Sequence, residues 1–489
     1  MYMSDVNPII AENLRAGTDS WQLTRPATSR EIEGYASATS VNRGDAIHLY
    51  VNTRSPAFLL EVFRMGWYQN LGARRVVGPL VIEGTEQVMP TMDDETGLLD
   101  CGWIKPFILT THNPGDHIDW VSGVYLAKLT ATDSGAQSYI IFVVRDDQRP
   151  ADLLFQLSVS TYQAYNYWGG KSLYNWGSTE KKRAAKVSFN RPYAANAENP
   201  AAAYGMGSGE FLTNLQPHPD SYGASNAGWD YNMVRWLERE GYDVAYCTSI
   251  DTHSLSKLPA CKAWLSVGHD EYWSWEMRQH IESARDAGVH LGFFTANCAY
   301  WQVRFEKSAA SGSENRIMVC YKKAKRDPVA AGGKDMSLAT DKWRSDAVNR
   351  PEAQLIGVMY AGDPVDADIV IKAPEHWVFA DTGLESGAKL KGLLGYEVDC
   401  VPDLATSTAQ ILAESPWTAL NDTSQQGVAH MSIYTAASGA MVFATGSIQW
   451  AWGLDDYNVP ALRTSRLSSA AQQITRNVFE QFLAVPSRK

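Results

Sequence analysis

The chain lacks the features that would place it at once. Its six cysteines (Cys101, Cys247, Cys261, Cys298, Cys320 and Cys400) are scattered without a CxxC pair. That excludes a thiolate zinc site and a dense disulfide framework, and predicts mostly buried free thiols. No window approaches the roughly 18 consecutive apolar residues of a membrane span. The N-terminal stretch from Met1 to Pro8 has no basic segment followed by an apolar one, so the expected location is cytoplasmic. Basic charge is also short: 43 Lys and Arg against 54 Asp and Glu give a net charge of -11, which argues against nucleic acid or an anionic membrane as partner. There is no internal repeat, and no low-complexity tract long enough to imply disorder.

What remains is a chain of 489 residues, 45% hydrophobic, long enough for two or three domains with their own cores. Up to Arg149 the pattern is β: Ala46 to Val51, Phe58 to Phe63, Gly123 to Leu129 and Tyr139 to Val144 read as strands, with turn-rich segments such as Asn113 to Asp116 between them. Short strands at this spacing predict an immunoglobulin-like β-sandwich over residues 1–149, with Asp146 to Pro150 as linker.

From residue 150 to 489 strands and helices alternate, the signature of a doubly wound α/β sheet. Leu153 to Val159 reads as a strand, and Asp230 to Glu240 as a helix with Met233, Trp236 and Leu237 on one face. Asp243 to Cys247 is again a strand, as is Ala440 to Ala444. A last helix turns Ala471, Ile474, Val478 and Phe482 inward. The stretch from Ser178 to Gly228, rich in Asn, Ala, Pro, Gly and Tyr, reads as a long active-site loop region.

The densest signal is Trp264 to Ser274. Ala263 to Val267 predicts a buried strand, Ser274 a helix cap, and Met277, Ile281 and Ala284 recur at helical spacing until Gly288. A second strand, Val289 to Phe294, ends in Thr295-Ala-Asn-Cys298. The crossover between them should be right-handed, so both strands point the same way. Ligands in open α/β sheets bind outside the carboxyl ends of the strands, so His269, Glu271 and Asn297 are expected in one crevice. The strand from Leu153 runs into Tyr162, Tyr165, Tyr167 and Tyr174, four tyrosines in 13 residues at the same edge. By themselves these fit an aromatic binding wall or simple packing.

Tyr162-Gln-Ala-Tyr-Asn166, Gly169-Gly-Lys-Ser-Leu-Tyr174, Val267-Gly-His-Asp-Glu-Tyr-Trp-Ser274, Ala296-Asn297, Gly395-Tyr-Glu-Val-Asp399 and Gly446-Ser-Ile-Gln-Trp450 together resemble the large (beta) subunit of N,N-dimethylformamidase and its relatives. The resemblance covers about residues 150 to 485, where the fold it implies is glutamine-amidotransferase-like. The N-terminal part, with Phe63 to Tyr68 and Gly72 to Arg75, is similar to the sandwich of shorter relatives. The resemblance implies a mononuclear non-haem ferric iron held by two tyrosines and a glutamate, in an amidohydrolase that cleaves the C–N bond of a small N-substituted formamide or related amide. Carried over by motif, Glu271 is the carboxylate ligand. Tyr165 and Tyr174 are the first choices for the phenols, with Tyr162, Tyr167 and Tyr231 as alternatives. His269, Asn297 and Glu397 are the catalytic groups around them. The sequence leaves open both a homo-oligomer and the small accessory subunit that the dimethylformamidase uses.

The chemistry of such a donor set is coherent. Phenolates and carboxylates are hard anionic donors suited to a ferric ion, whereas zinc favours imidazole and thiolate. Two other readings stay open at this point. Cys298 follows a strand as a nucleophile would, although the flanking glycines of a nucleophile elbow are missing. An abundance of 17 Trp and 23 Tyr also suits a non-enzymatic carbohydrate- or ligand-binding protein.

Overall fold

The computed structural model describes residues 7–112, 119–194, 200–216, 226–256, 258–330, 335–402 and 409–483. The expected turn at Asn113 to Asp116 and parts of the 178–228 stretch lie outside the described residues.

The N-terminal part is two facing sheets. One has three strands, Ile32–Ala36, Ala46–Thr53 and Phe107–Thr110. The other has five, in the order Ser40–Asn42, Gln137–Arg145, Gly123–Ala131, Ala57–Met65 and Ala73–Glu83. Residues from both sheets, including Ile47, Leu49, Phe58, Leu60, Ala127 and Phe142, make one core between them. In Ala46–Thr53 buried residues alternate with more open ones, as in a strand covered on one side. Gln137–Arg145 is buried nearly throughout, because its other face (Tyr139, Ile141, Val143) joins the core of the α/β part. That face carries a buried ion pair: the Arg64 guanidinium bonds both carboxylate oxygens of Glu238 at 2.8 and 3.0 Å, with both side chains fully enclosed.

The seven-stranded sheet runs Val244–Thr248, Ala151–Leu157, Cys261–His269, His290–Ala296, Met441–Ala444, Gln426–Thr435 and Gln410–Thr418. The first five strands are parallel and the last two form an antiparallel edge. Alternate residues of each strand feed two cores. Leu153, Leu265 and Phe294 pack with Met233 and Trp236 of the helix Asp230–Glu240 and with Val478 of the helix Ser469–Gln481. Leu154, Trp264 and Leu291 pack on the opposite side with Met277 and Ile281 of the helix Trp275–Asp286. Helices on both faces of a parallel sheet make it doubly wound. Ser274 caps the last of these helices by accepting from the Met277 amide at 3.1 Å, and Gly288, with φ +97°, follows its end.

By order of appearance the parallel strands run 2-1-3-4-5, so the direction of winding reverses between Ala151–Leu157 and Cys261–His269. The crevice above that reversal is where such sheets bind ligands. The expected strand Leu153 to Val159 stops at Leu157, and Val159–Tyr165 is a helix. Tyr165 is thereby delivered at a helix end, directly above the switch point. Among the described residues no helix is long and apolar enough to cross a membrane.

Candidate active site

Three short-range devices shape the crevice. Gly268 holds φ +65°, and a Cβ there would meet Asp230 Oδ1 at 2.3 Å, so only glycine lets the strand turn before His269. Past the turn, the Thr161 hydroxyl accepts from the amides of Glu271 (2.9 Å) and Tyr272 (3.3 Å), while the Ser160 hydroxyl donates to the Tyr272 carbonyl at 2.7 Å. The His-Asp-Glu segment is thus clamped to the helix that carries Tyr165. Asp270 points away from the crevice and accepts from Gln156 and Ser266, and burial raises its carboxyl to about 6. On the strand Lys389–Cys400, Gly395 sits at φ +143° where a Cβ would strike the Val365 carbonyl, and two residues later Glu397 faces the same crevice.

At the buried end, three side chains bring oxygens into mutual contact. The Tyr165 hydroxyl donates to Glu271 Oε2 at 2.7 Å; the Tyr174 hydroxyl lies 2.7 Å from the Tyr165 oxygen and 2.9 and 3.0 Å from the Glu271 oxygens. Tyr272 donates to the Tyr174 oxygen at 2.7 Å, a bond that favours the phenolate. Burial first, and then the charge of Glu271, pushes both phenols well above the ordinary phenol value. Glu271 itself is lowered: burial opposes its charge, but His269, the Lys322 ammonium and the Tyr165 hydroxyl together outweigh burial.

His269 stands beside this cluster, its Nε2 3.5 Å from Glu271 and 3.6 Å from Glu397, its Nδ1 3.0 Å from Glu210 Oε2. Burial disfavours the imidazolium, yet Glu210 and Glu397 raise its pKa well above the ordinary value. Glu397 is pushed well up by burial, then by the charges of Glu271 and Asp363, and its Oε2 has no hydrogen-bond donor among the described residues. Asn297 adopts φ +53°, tolerated by asparagine, with its backbone N–H donated to Asp399 at 2.8 Å and its side-chain oxygen without a partner among the described residues. A cleft of about 240 Å³ opens from this group, with Trp176, Tyr300, Trp301 and Tyr360 along its outer part.

The structure therefore brings Tyr165, Tyr174, His269, Glu271, Asn297 and Glu397 together. Tyr162 instead donates to Asp230, Tyr231 donates to the Gly72 carbonyl at 2.6 Å, and Tyr167 packs on Trp176 at 5.2 Å. Cys298 is buried, 3.7 Å from the Ser266 hydroxyl, and burial pushes its thiol up, opposite to what a nucleophile requires. Sequence reasoning missed Glu210, Tyr272, Lys322 and Gln216, whose side-chain nitrogen lies 3.2 Å from Nε2 of His269 at the cleft. Lys322 is buried with its ammonium 3.5 Å from the Tyr174 ring centre, and burial lowers it to about 8 despite Glu271. Tyr272 sat inside the quoted motif; the other three lie in stretches without periodicity.

A metal is tested by this donor set alone. Among the described residues no group of three or more His, Cys, Asp or Glu side chains is arranged to hold one. The Tyr165, Tyr174 and Glu271 oxygens, however, lie 2.7 to 3.0 Å apart. Two phenols and a carboxylate also make a hard, potentially trianionic set, so the residues fit a ferric ion.

A family model described as N,N-dimethylformamidase beta subunit-like, C-terminal, matches residues 59–462. The match begins inside the N-terminal sheets, well before residue 150. No curated protein matches the chain. Among solved structures, murine CEACAM1b is similar at 13% identity and a TM-score of 0.13, over 26% of this chain and 63% of that one, a likeness that carries no argument. The chain thus covers less than two thirds of that structure's own length.

Proposed function

The chain belongs to the N,N-dimethylformamidase beta subunit-like family, and from that membership we propose that it is an iron-dependent amidohydrolase cleaving the C–N bond of an N-substituted formamide or related amide. The observation that carries the reading is the triangle of Tyr165, Tyr174 and Glu271 oxygens beside His269 and Glu397. These three residues would hold the ion. When bound, ferric iron supplies Lewis acidity, lowering the pKa of water or polarising the amide carbonyl.

The remaining steps fall to the protein's own groups. Glu210 fixes the ring of His269 so that Nε2 faces Glu271 and Glu397. His269 or Glu397 takes a proton from the attacking water and returns it to the nitrogen of the leaving amine. The Asn297 side-chain amide donates to the amide oxygen as negative charge builds there. Its unusual backbone angle, fixed by Asp399, keeps that donor at the cleft.

The division into residues 1–149 and 150–489, and the kinship of the first part to immunoglobulin-like sandwiches, belong to this proposal. Two facing sheets around one core support it. Iron content per chain, measured with dimethylamine release from N,N-dimethylformamide, tests the reading. Stoichiometric iron in the wild type and its loss in Glu271→Ala are expected; wild type that takes up no iron on reconstitution sinks it.

A further inference from the structure

The two ends of the cleft differ in chemistry. Glu271, Asn297 and Glu397 are buried, whereas Trp176, Tyr300, Trp301 and Tyr360 are half-exposed. These rings form two banks. Trp176 packs on Tyr167 and Tyr174 with ring centres 5.2 and 5.3 Å apart; Tyr300 meets Trp301 and Tyr360 edge-on at 5.1 and 5.3 Å. Half-exposed aromatics gathered round one cleft mark a surface kept for an apolar, flat ligand group.

Cations lie behind both banks. The Lys322 ammonium is 3.5 Å from the Tyr174 ring centre and 4.7 Å from that of Trp301. Lys342 and the Arg344 guanidinium sit 4.9 and 5.3 Å from the Tyr300 ring. None of the three cations lines the cleft. Each already uses the negative face of its ring and draws electron density away from the cleft. Aromatic walls otherwise suit a quaternary ammonium, but rings loaded in this way disfavour a second cation and favour an electron-rich ring. The volume agrees: at about 30 Å³ per water, 240 Å³ is room for roughly eight waters, more than a dimethyl-substituted formamide of five heavy atoms fills.

We infer that the substrate of this site is an N-aryl amide, in the simplest case an N-aryl formamide whose ring lies between the two aromatic banks. The inference rests on the hydrolase reading above and names its substrate class. Water oxygen bonds to the formyl carbon, the C–N bond breaks with its electron pair going to nitrogen, and nitrogen takes the proton water gave up. The products are an arylamine and formic acid, which ionises to formate and a proton, with no oxidant or reductant. Delocalisation of the nitrogen lone pair into the ring eases departure of the arylamine.

Calorimetric binding of phenylurea and of 1,1-dimethylurea to the full-length protein, together with kcat/KM for formanilide and N,N-dimethylformamide, tests the assignment. Phenylurea should bind at least tenfold tighter, and formanilide should be the better substrate by a similar factor. The phenylurea preference should collapse in Trp176→Ala and Tyr300→Ala and persist in Trp176→Phe. Equal affinities for the two ureas in the wild type overturn the proposal. If N,N-dimethylformamide is hydrolysed without any aryl preference, the substrate class is wrong and the hydrolase reading stands. If neither amide is cleaved but the tryptophan-dependent preference holds, the aryl site stands and the hydrolase reading falls.

Discussion

Glu210 Oε2 lies 3.0 Å from Nδ1 of His269, and its other oxygen accepts from the Leu215 amide at 2.9 Å, so a carboxylate from an irregular stretch decides which way the imidazole faces. Both side chains are 1% exposed. Removing such an outer partner typically costs about 10–100-fold in activity or metal affinity. In Glu210→Gln we expect kcat to fall by about that factor with KM little changed. Retained kcat would show that the ring is positioned by something else.

The two phenols are expected to behave unequally. Tyr174 receives a hydrogen bond from Tyr272 and stands over Lys322, both of which favour its ionised form. Tyr165 has Glu271 and Tyr174 as its hydroxyl partners. The visible tyrosinate-to-iron band of the loaded protein should therefore shift in Tyr272→Phe, and weaken in Tyr165→Phe and Tyr174→Phe. Spectra of the three variants at matched iron content check this; an unmoved band in Tyr272→Phe removes that bond from the account.

Asn297 occupies the left-handed region, where residues other than Gly, Asn and Asp lose about 1–2 kcal/mol. Asn297→Gly should keep its stability and lose turnover, because the backbone is served and the side-chain donor is gone. Asn297→Val should lose both. Urea midpoints measured beside kcat separate the two effects.

The N-terminal part should be acid-sensitive. Burial opposes ionisation of Glu12, but Arg64, Arg74 and the Tyr68 hydroxyl outweigh it, and its folded pKa lies below the ordinary 4.5. A lowered folded pKa gives stability that is complete above the unfolded value and is lost as pH falls from there through the folded value. Wild type should therefore lose more stability than Glu12→Gln between pH 6 and pH 3.5, read from urea unfolding. Parallel losses in the two proteins contradict it.

Glu238 accepts from Arg64, from Asn13 Nδ2 at 2.8 Å and from the Tyr246 hydroxyl at 2.9 Å, all enclosed. Breaking one side of a buried pair leaves a charge without compensation, typically about 3–5 kcal/mol. Arg64→Leu should lose stability in that range, and Arg64→Leu with Glu238→Leu should lose less than the single variant. Denaturation of the double-mutant cycle decides it.

The parts of the fold that rest on local periodicity were legible. Ser274, Met277 and Ile281 announced a helix, and the apolar run before His269 announced a strand, because one face of each had to be buried. The long hairpin Met359–Val370 and Lys389–Cys400 was not, since its bulges interrupt the alternation that marks a strand. The position of Glu397 depended on that hairpin. Glu210 and Lys322 were illegible for another reason: the side chains they meet at the site, His269 and Tyr174, lie far away in the chain, and no spacing rule encodes such a meeting. Tyr165 and Glu271, 106 residues apart, meet only because the sheet reverses its winding between their strands.

The enclosed Arg64–Glu238 pair also bears on modularity. A guanidinium of the N-terminal sheets is the counter-ion of a carboxylate on the helix Asp230–Glu240, and the far side of that helix packs against the central sheet. Cutting the chain near residue 150 would take the Arg64 and Asn13 donors from Glu238, leave it the Tyr246 hydroxyl, and open to water the face on which it sits. The N-terminal sheets are thus less a detachable appendage than a keystone, and a shortened chain should need Glu238 replaced by an uncharged residue to stay folded.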